Sequence, residues 1–240
     1  MIGCLCLHGF TGSPWELEPL ADRLRQEYKW LVYTPVLPGH DQHENLKEAS
    51  YKTWIYKADL AASELFVHCE KVFVIGFSMG GMLASYIAAR YPVSRVVLLS
   101  AAAQYIGAGQ LVKDMGVMLE TGVKGEMKKH PWYPIFNDKI HTPIQAVVEF
   151  RKAVKAVTPF LKDIKVPVFI GQGVQDGLVP RRSAEFLHEK IETPLKQLHF
   201  YEQSKHFLCH GENSAQVIED VETFLLSASP AQQVVWKSAD

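Results

Sequence analysis

The sequence predicts a single α/β domain in which about six mostly parallel strands form one sheet with helices on both faces and a lid insertion. Three observations lead there. Val72-Phe73-Val74-Ile75, Val96-Val97-Leu98-Leu99 and Val168-Phe169-Ile170 are unbroken apolar runs, as strands buried on both faces require. They alternate with stretches whose apolar residues recur at helical spacing, which implies right-handed crossovers and a ligand site beyond the strands' carboxyl ends. The chain of 240 residues and 27.0 kDa has room for one sizeable core and not two.

In chain order, Ile2 to Leu7 is a short apolar strand that runs into His8-Gly9-Phe10-Thr11-Gly12, a glycine-rich loop with backbone N–H groups to offer. Ser13-Pro14-Trp15-Glu16 has the form of a helix start, with Ser as cap, Pro at the first position and Glu three residues after the cap. Pro19 leaves two options: a tight separate turn, or a main helix beginning near Glu18, with Leu17, Leu20, Ala21 and Leu24 as the buried stripe in both. Leu31 to Val36 reads as the second strand, closed by Leu37-Pro38-Gly39-His40, and Asp41 to Ser50 as a polar surface loop. Trp54, Ile55, Ala58, Ala62, Leu65 and Phe66 mark the next helix.

Lys71 to Pro92 is strand, sharp turn and helix. Gly76-Phe77-Ser78-Met79-Gly80 follows the apolar run at once, and Gly81, Ala84, Ser85, Ala88 and Ala89 then form a small-residue stripe that lets a helix lie close on the sheet. A serine in such a turn is strained, and the positions two before and two after it must lack bulk, which Gly76 and Gly80 satisfy. Ser78 is the candidate nucleophile, and the N–H of Met79 lies at the positive end of the helix, where negative charge is favoured. A bare Gly-X-Ser-X-Gly arises by chance; the strand-to-helix context is what makes this one specific.

After the strand around Arg95 to Ser100 the rhythm breaks. Residues 104–161 show no clear strand but hold Met115, Met118, Leu119, Met127 and the cluster around Trp132, Tyr133 and Phe136. A stretch of this length is expected to be an inserted substructure, either a lid over an apolar pocket or an ordinary helical excursion packed on the core. The rhythm resumes with Val166 to Gly171, the loop holding Asp176 to Pro180, a helix near Ser183 to Ile191, a strand near Leu195 to Tyr201, the loop with His206, and a helix near Ser214 to Leu226. The core is thus expected in 1–103 and 162–226, the lid in 104–161 and a loosely held tail in 227–240, where Val234-Val235-Trp236 could dock.

Composition narrows the partners. Lys and Arg total 25 against 26 Asp and Glu, a net charge of -1 with no basic block, which argues against nucleic acid. No apolar stretch reaches the length of a membrane span and Met1 to Leu7 is too short for a signal peptide, so a cytoplasmic protein is expected. Cys4, Cys6, Cys69 and Cys209 are expected as free thiols. Cys4, Cys6 and His8 alternate along one strand face, but no second ligand pair has zinc-site spacing, so packed thiols are expected instead of a metal clip.

Ester hydrolysis needs an attacking hydroxyl, a base, an anion to orient that base, and N–H donors for the oxyanion. Ser78, Asp176 and His206 occur in that order, each in the loop after a predicted parallel strand, so one sheet edge would gather them. His210 lies deeper in the following segment, Asp163 precedes its strand, and Glu202 is too near His206 in sequence to orient it. His8 is expected to be a hydrogen-bonder that holds its loop. The order of the three, together with Gly76-Phe77-Ser78-Met79-Gly80, resembles the α/β-hydrolase fold family across essentially the whole chain but the tail. His8 to Gly12, Pro38-Gly39-His40 and Asp176-Gly177-Leu178-Val179-Pro180 make it most similar to small bacterial carboxylesterases and monoacylglycerol-lipase-like esterases.

That resemblance implies an oxyanion hole from the N–H groups of Phe10 and Met79, a capping insertion after Ser100, and acyl-enzyme chemistry on small esters without metal or cofactor. The acyl pocket is expected from Met115, Met118, Leu119, Met127, Trp132 and Phe136, with Val179 from the acid loop. Other chemistries on the same fold are carbon–carbon bond hydrolysis, lactone opening and perhydrolysis, and a hydrolase scaffold can also serve as a non-catalytic binding protein.

Overall fold

A computed structural model describes residues 1–41, 44–104 and 142–228, and the backbone of 233–237. Seven strands form one sheet: β1 (Ile2–Leu7), β2 (Leu31–Tyr33), β3 (Lys71–Phe77), β4 (Arg95–Leu99), β5 (Val168–Gly173), β6 (Lys196–Tyr201) and β7 (Gln233–Lys237). They lie in the order β2-β1-β3-β4-β5-β6-β7, and every neighbouring pair is parallel. The six expected strands are all present, although β2 stops at Tyr33, short of Val36. The seventh comes from the tail, which pairs with β6 from Gln197↔Gln233 to Tyr201↔Lys237.

Register aligns the carboxyl ends. Leu7 stands opposite Gly76, Phe77 opposite Leu99, Leu99 opposite Gly171 and Gly173 opposite Tyr201, so the loops after β1, β3, β4, β5 and β6 leave the sheet along one edge. Alternation within each buried strand feeds two cores. Val72, Val74, Val96, Leu98, Val168 and Ile170 belong to the larger, which also holds Leu83 and Ile87 of α3 (Met79–Arg90) and Trp54 of α2 (Tyr51–His68). Phe73, Ile75, Val97 and Phe169 belong to the other, with Leu20 and Leu24 of α1 (Glu18–Tyr28) and Val217, Val221 and Phe224 of the last helix, Ser214–Leu226.

Residues 13–18 settle the entry to α1: Pro14–Leu17 forms a separate 3-10 turn and α1 begins at Glu18. Ser13 does not act as the expected cap. Its hydroxyl makes no capping bond and lies buried without a hydrogen-bond partner among the described residues. At α2 the cap is complete: Ser50 accepts the Thr53 N–H, and Thr53 returns its hydroxyl oxygen to the Ser50 N–H.

The insertion divides. Residues 105–141 lie outside the described residues, while its carboxyl part forms α4 (Ile144–Val157) and a 3-10 segment (Thr158–Asp163). Ala146, Val147, Phe150, Ala153, Val154 and Val157 are buried in the larger core, so this helix is structural body on α2 and α3, not cover. Two more helices follow among the described residues, α5 (Arg181–Lys190) and α6 (Ser214–Leu226). Among the described residues no helix is long and apolar enough to cross a membrane, and no group of His, Cys, Asp or Glu is arranged to hold a metal ion. The four cysteines are free and buried.

Candidate active site

β3 delivers Ser78 directly into the first position before α3, with φ 53° and ψ -116°. A non-glycine residue there carries strain of about 1–3 kcal/mol and persists only if its surroundings over-determine it. They do: the Ser78 N–H donates to the Leu99 carbonyl at 3.0 Å, and its own carbonyl accepts from the N–H groups of Gly81 and Ala102 at 3.0 and 3.1 Å. The flanking glycines are obligatory for space. A Cβ on Gly76 would sit 2.2 Å from the Gly80 carbonyl oxygen, and one on Gly80 would sit 2.0 Å from that of Leu7. The turn is wedged between β1 and α3.

Two and three strands away, Asp176 after β5 and His206 after β6 form a buried pair, with His206 Nδ1 donating to Asp176 Oδ2 at 2.8 Å. The other carboxylate oxygen, Oδ1, accepts the N–H groups of Leu178 and Val179 at 2.9 Å each. Gln172, fully buried in β5, donates its amide to Oδ2 and to the carbonyls of Gly173 and Val179, each at 3.1 Å. The acid's orientation is thereby fixed, and with it the tautomer of His206: Nδ1 holds the proton and Nε2 keeps its lone pair. The imidazole leans on the Phe77 ring, centroid to centroid 4.8 Å, next to Ser78. The Ser100 hydroxyl donates to the His206 carbonyl at 2.9 Å, while the adjacent Leu99 carbonyl holds Ser78, so consecutive residues at the end of β4 anchor serine and imidazole alike.

The loop after β1 is clamped amide by amide. Gly9 N–H donates to Glu16 Oε2 at 2.6 Å, and Thr11 N–H donates to His40 Nε2 at 3.1 Å. Between them the Phe10 N–H has no acceptor among the described residues, and neither has the Met79 N–H at the start of α3. His8 accepts the Leu37 N–H on Nε2 at 3.0 Å, so its Nδ1 carries the proton and donates to the Gly9 carbonyl at 2.9 Å. His40 is set the same way by Thr11, with Nδ1 on the Pro38 carbonyl at 3.0 Å. Both rings are neutral in this arrangement. The Phe10 ring stacks on Phe150 of α4 at 5.2 Å and meets Trp54 edge-on at 5.9 Å, which carries the insertion's helix to the back of this loop.

The expected residues fall out as follows. Ser78, Asp176 and His206 come to one edge, with the Phe10 and Met79 amides on the same rim. His210 is occupied: its ring stacks on Trp15 at 3.8 Å and its Nε2 donates to the Trp15 carbonyl at 2.9 Å. Asp163 and Glu202 are exposed and outside the pair. Val179 is 1% exposed, with its side chain in the larger core and its backbone serving Asp176 and Gln172. Met115, Met118, Leu119, Met127, Trp132 and Phe136 lie outside the described residues. Sequence reasoning missed Gln172, Ser100, Glu16 and Phe150. Gln172 alone carried a signal, as a polar residue inside an otherwise apolar strand.

This arrangement is that of a hydrolase built on a parallel sheet, and the comparisons agree. The model of the Alpha/beta hydrolase family matches residues 4–220, and the chain belongs to that family. It is similar to the thermostable monoacylglycerol lipase of Bacillus sp. (strain H-257), 25% identical over 227 residues that make up 91% of this chain and 88% of that protein. It is also similar to a carboxylesterase of Bacillus subtilis (strain 168), 26% identical over 236 residues, 92% of this chain and 91% of the other. Among solved structures, one from work on LipS and LipT, two metagenome-derived lipolytic enzymes, matches with a TM-score of 0.76 and 24% identity, covering 93% of each chain.

Proposed function

We propose that this protein is a serine esterase that cleaves short to medium acyl esters or monoacylglycerol-like substrates. The observation that carries the reading is the buried His206–Asp176 pair at 2.8 Å on the sheet edge where Ser78 is strained outward. In the reaction Ser78 Oγ adds to the ester carbonyl carbon as His206 Nε2 takes the hydroxyl proton, and Asp176 balances the imidazolium. The carbonyl oxygen becomes an oxyanion held by the Phe10 and Met79 N–H groups, for which no acceptor among the described residues competes. Collapse breaks the bond to the alcohol, which leaves with the proton from His206. Water then repeats the sequence on the acyl-Ser78 ester, releasing the acid and restoring the serine. The names of the two Bacillus relatives support esters over the other reactions of the fold.

We assign acyl selectivity to Met115, Met118, Leu119, Met127, Trp132 and Phe136. Each substrate methylene buried there contributes about 0.8 kcal/mol, roughly fourfold in kcat/KM, until the pocket is full. The test is a p-nitrophenyl ester series of rising acyl length, run beside monoacylglycerols, lactones and carbon–carbon substrates, with fluorophosphonate labelling of Ser78. Ester turnover with labelling at Ser78 is expected; turnover confined to a non-ester substrate, or no labelling, refutes the reading. Trp132→Ala with Phe136→Ala should shift the chain-length optimum and spare the labelling.

A further inference from the structure

We infer that Glu16 is a positioning residue of the oxyanion loop, an assignment that rests on the oxyanion role given above to the Phe10 N–H. Ser13-Pro14-Trp15-Glu16 has the sequence form of a capping box, in which the glutamate would turn back to the Ser13 backbone. It does not. Its Oε2 accepts the Gly9 N–H at 2.6 Å, and the Ser13 hydroxyl is left buried without a partner. The Glu16 side chain is 4% exposed, so the carboxylate has been taken out of water to reach this amide.

The geometry says what the contact does. Phe10 sits between two amides that are each held by a side-chain acceptor from elsewhere, Gly9 by Glu16 and Thr11 by His40. With both neighbours held, the peptide plane between them has little freedom, and the Phe10 N–H stays turned away from every protein acceptor among the described residues. The carboxylate also closes over Gly12: a Cβ there would lie 2.1 Å from Glu16 Oε1 and 2.4 Å from Oε2. Gly12 is therefore the opening through which Glu16 reaches Gly9. The loop needs from Glu16 an acceptor oxygen. A negative charge beside a developing oxyanion opposes it, so the charge itself contributes nothing favourable to the reaction.

The experiment compares Glu16→Ala, Glu16→Gln, Gly12→Ala and Glu16→Ala/Gly12→Ala in the full chain, measured for kcat and KM on a p-nitrophenyl ester and for thermal unfolding. Loss of one oxyanion donor costs about 10²–10³ in kcat, and a donor left in place but loosened should cost less, about 10–100-fold for Glu16→Ala, with KM changed by no more than about twofold. Glu16→Gln should stay within about threefold of the native kcat, because its amide oxygen accepts the same N–H. Gly12→Ala should push the flexible carboxylate aside and lower kcat in the native background, yet add little to Glu16→Ala. If Glu16→Ala does not fold, Glu16→Gln and Gly12→Ala still decide. Native kcat in Glu16→Ala, an equal loss in Glu16→Gln, a change confined to KM or to unfolding temperature, or additive losses in the double variant overturns the inference. Labelling of Ser78 in the native protein tests the esterase reading separately, so failure of one leaves the other readable.

Discussion

Asp176→Asn should abolish turnover while leaving the fold in place, and the hydrogen bonds show why. Oδ1 accepts two backbone N–H groups, from Leu178 and Val179, so the new amide must place its oxygen there. Its NH2 then occupies the Oδ2 position, facing the Gln172 amide and the His206 Nδ1 proton, two donors where an acceptor stood. His206 can escape only by moving its proton to Nε2, and that is the nitrogen that must take the proton from Ser78. A wrong tautomer of this kind costs about 10⁴ in kcat, close to 5.4 kcal/mol of transition-state stabilisation. Donor facing donor at Gln172 should add about 1–3 kcal/mol of destabilisation, visible as a lowered unfolding midpoint. The assay is steady-state ester hydrolysis beside denaturant unfolding. Turnover within tenfold of native would refute the reasoning, since it would mean that Asp176 does not set the imidazole.

Further expectations follow from the same geometry. Ser78→Ala and His206→Ala should each lower kcat on the order of 10⁶-fold and the double variant little more, because the pair acts as a unit; additive losses in a double-variant cycle would break that assignment. Phe150→Ala should cost about 3–5 kcal/mol in chemical denaturation and impair turnover beyond the stability loss, since it removes the surface on which Phe10 stacks. The Glu149 carboxyl is held below its ordinary value by the Lys152 ammonium, and it also accepts the Tyr51 N–H at the start of α2. Its contribution to stability should be complete above the ordinary glutamate value of about 4.3 and be lost as pH falls below it; Glu149→Gln should flatten that acid limb of the unfolding curve. The hydrogen bond with Cys6, and then burial, push the Cys4 thiol up; burial pushes Cys69 up and Cys209 up to about 12, and all four thiols are buried. A thiol reagent should therefore find no reactive cysteine in the native protein and four after denaturation, counted by mass.

Most of the sheet, and the order in which the candidate site residues follow its strands, could be read from the sequence because parallel strands buried on both faces leave continuous apolar runs and each candidate lies in the loop after one. What escaped has physical reasons. β7 is a short segment in a polar tail, and only its pairing with β6 makes it a strand. α4 did display a helical stripe, Ala146, Val147, Phe150, Ala153, Val154 and Val157, but the methionines and aromatics before it drew the boundary of the expected lid too far along the chain. Ser100 acts through a single side-chain bond to the His206 carbonyl, which no local pattern encodes, and Gln172 shows its polarity inside an apolar strand but not the three acceptors it serves. Glu16 was misread because its spacing from Ser13 imitates a cap.

The strained conformation of Ser78 has a consequence for how this protein is made. Its hydrogen bonds run to the Leu99 carbonyl and from the Gly81 and Ala102 amides, downstream on the chain, so a ribosome must release residues beyond 102 before the elbow can be cocked. The imidazole arrives about a hundred residues later still, and β5 can join β4 only after the whole of 100–167 has been threaded through the exit tunnel. If Ser78 and His206 act as proposed, a product truncated before His206 should not turn over ester, and phosphonate capture at Ser78 becomes a timer that reports when a nascent or refolding chain has paired β5 with β6.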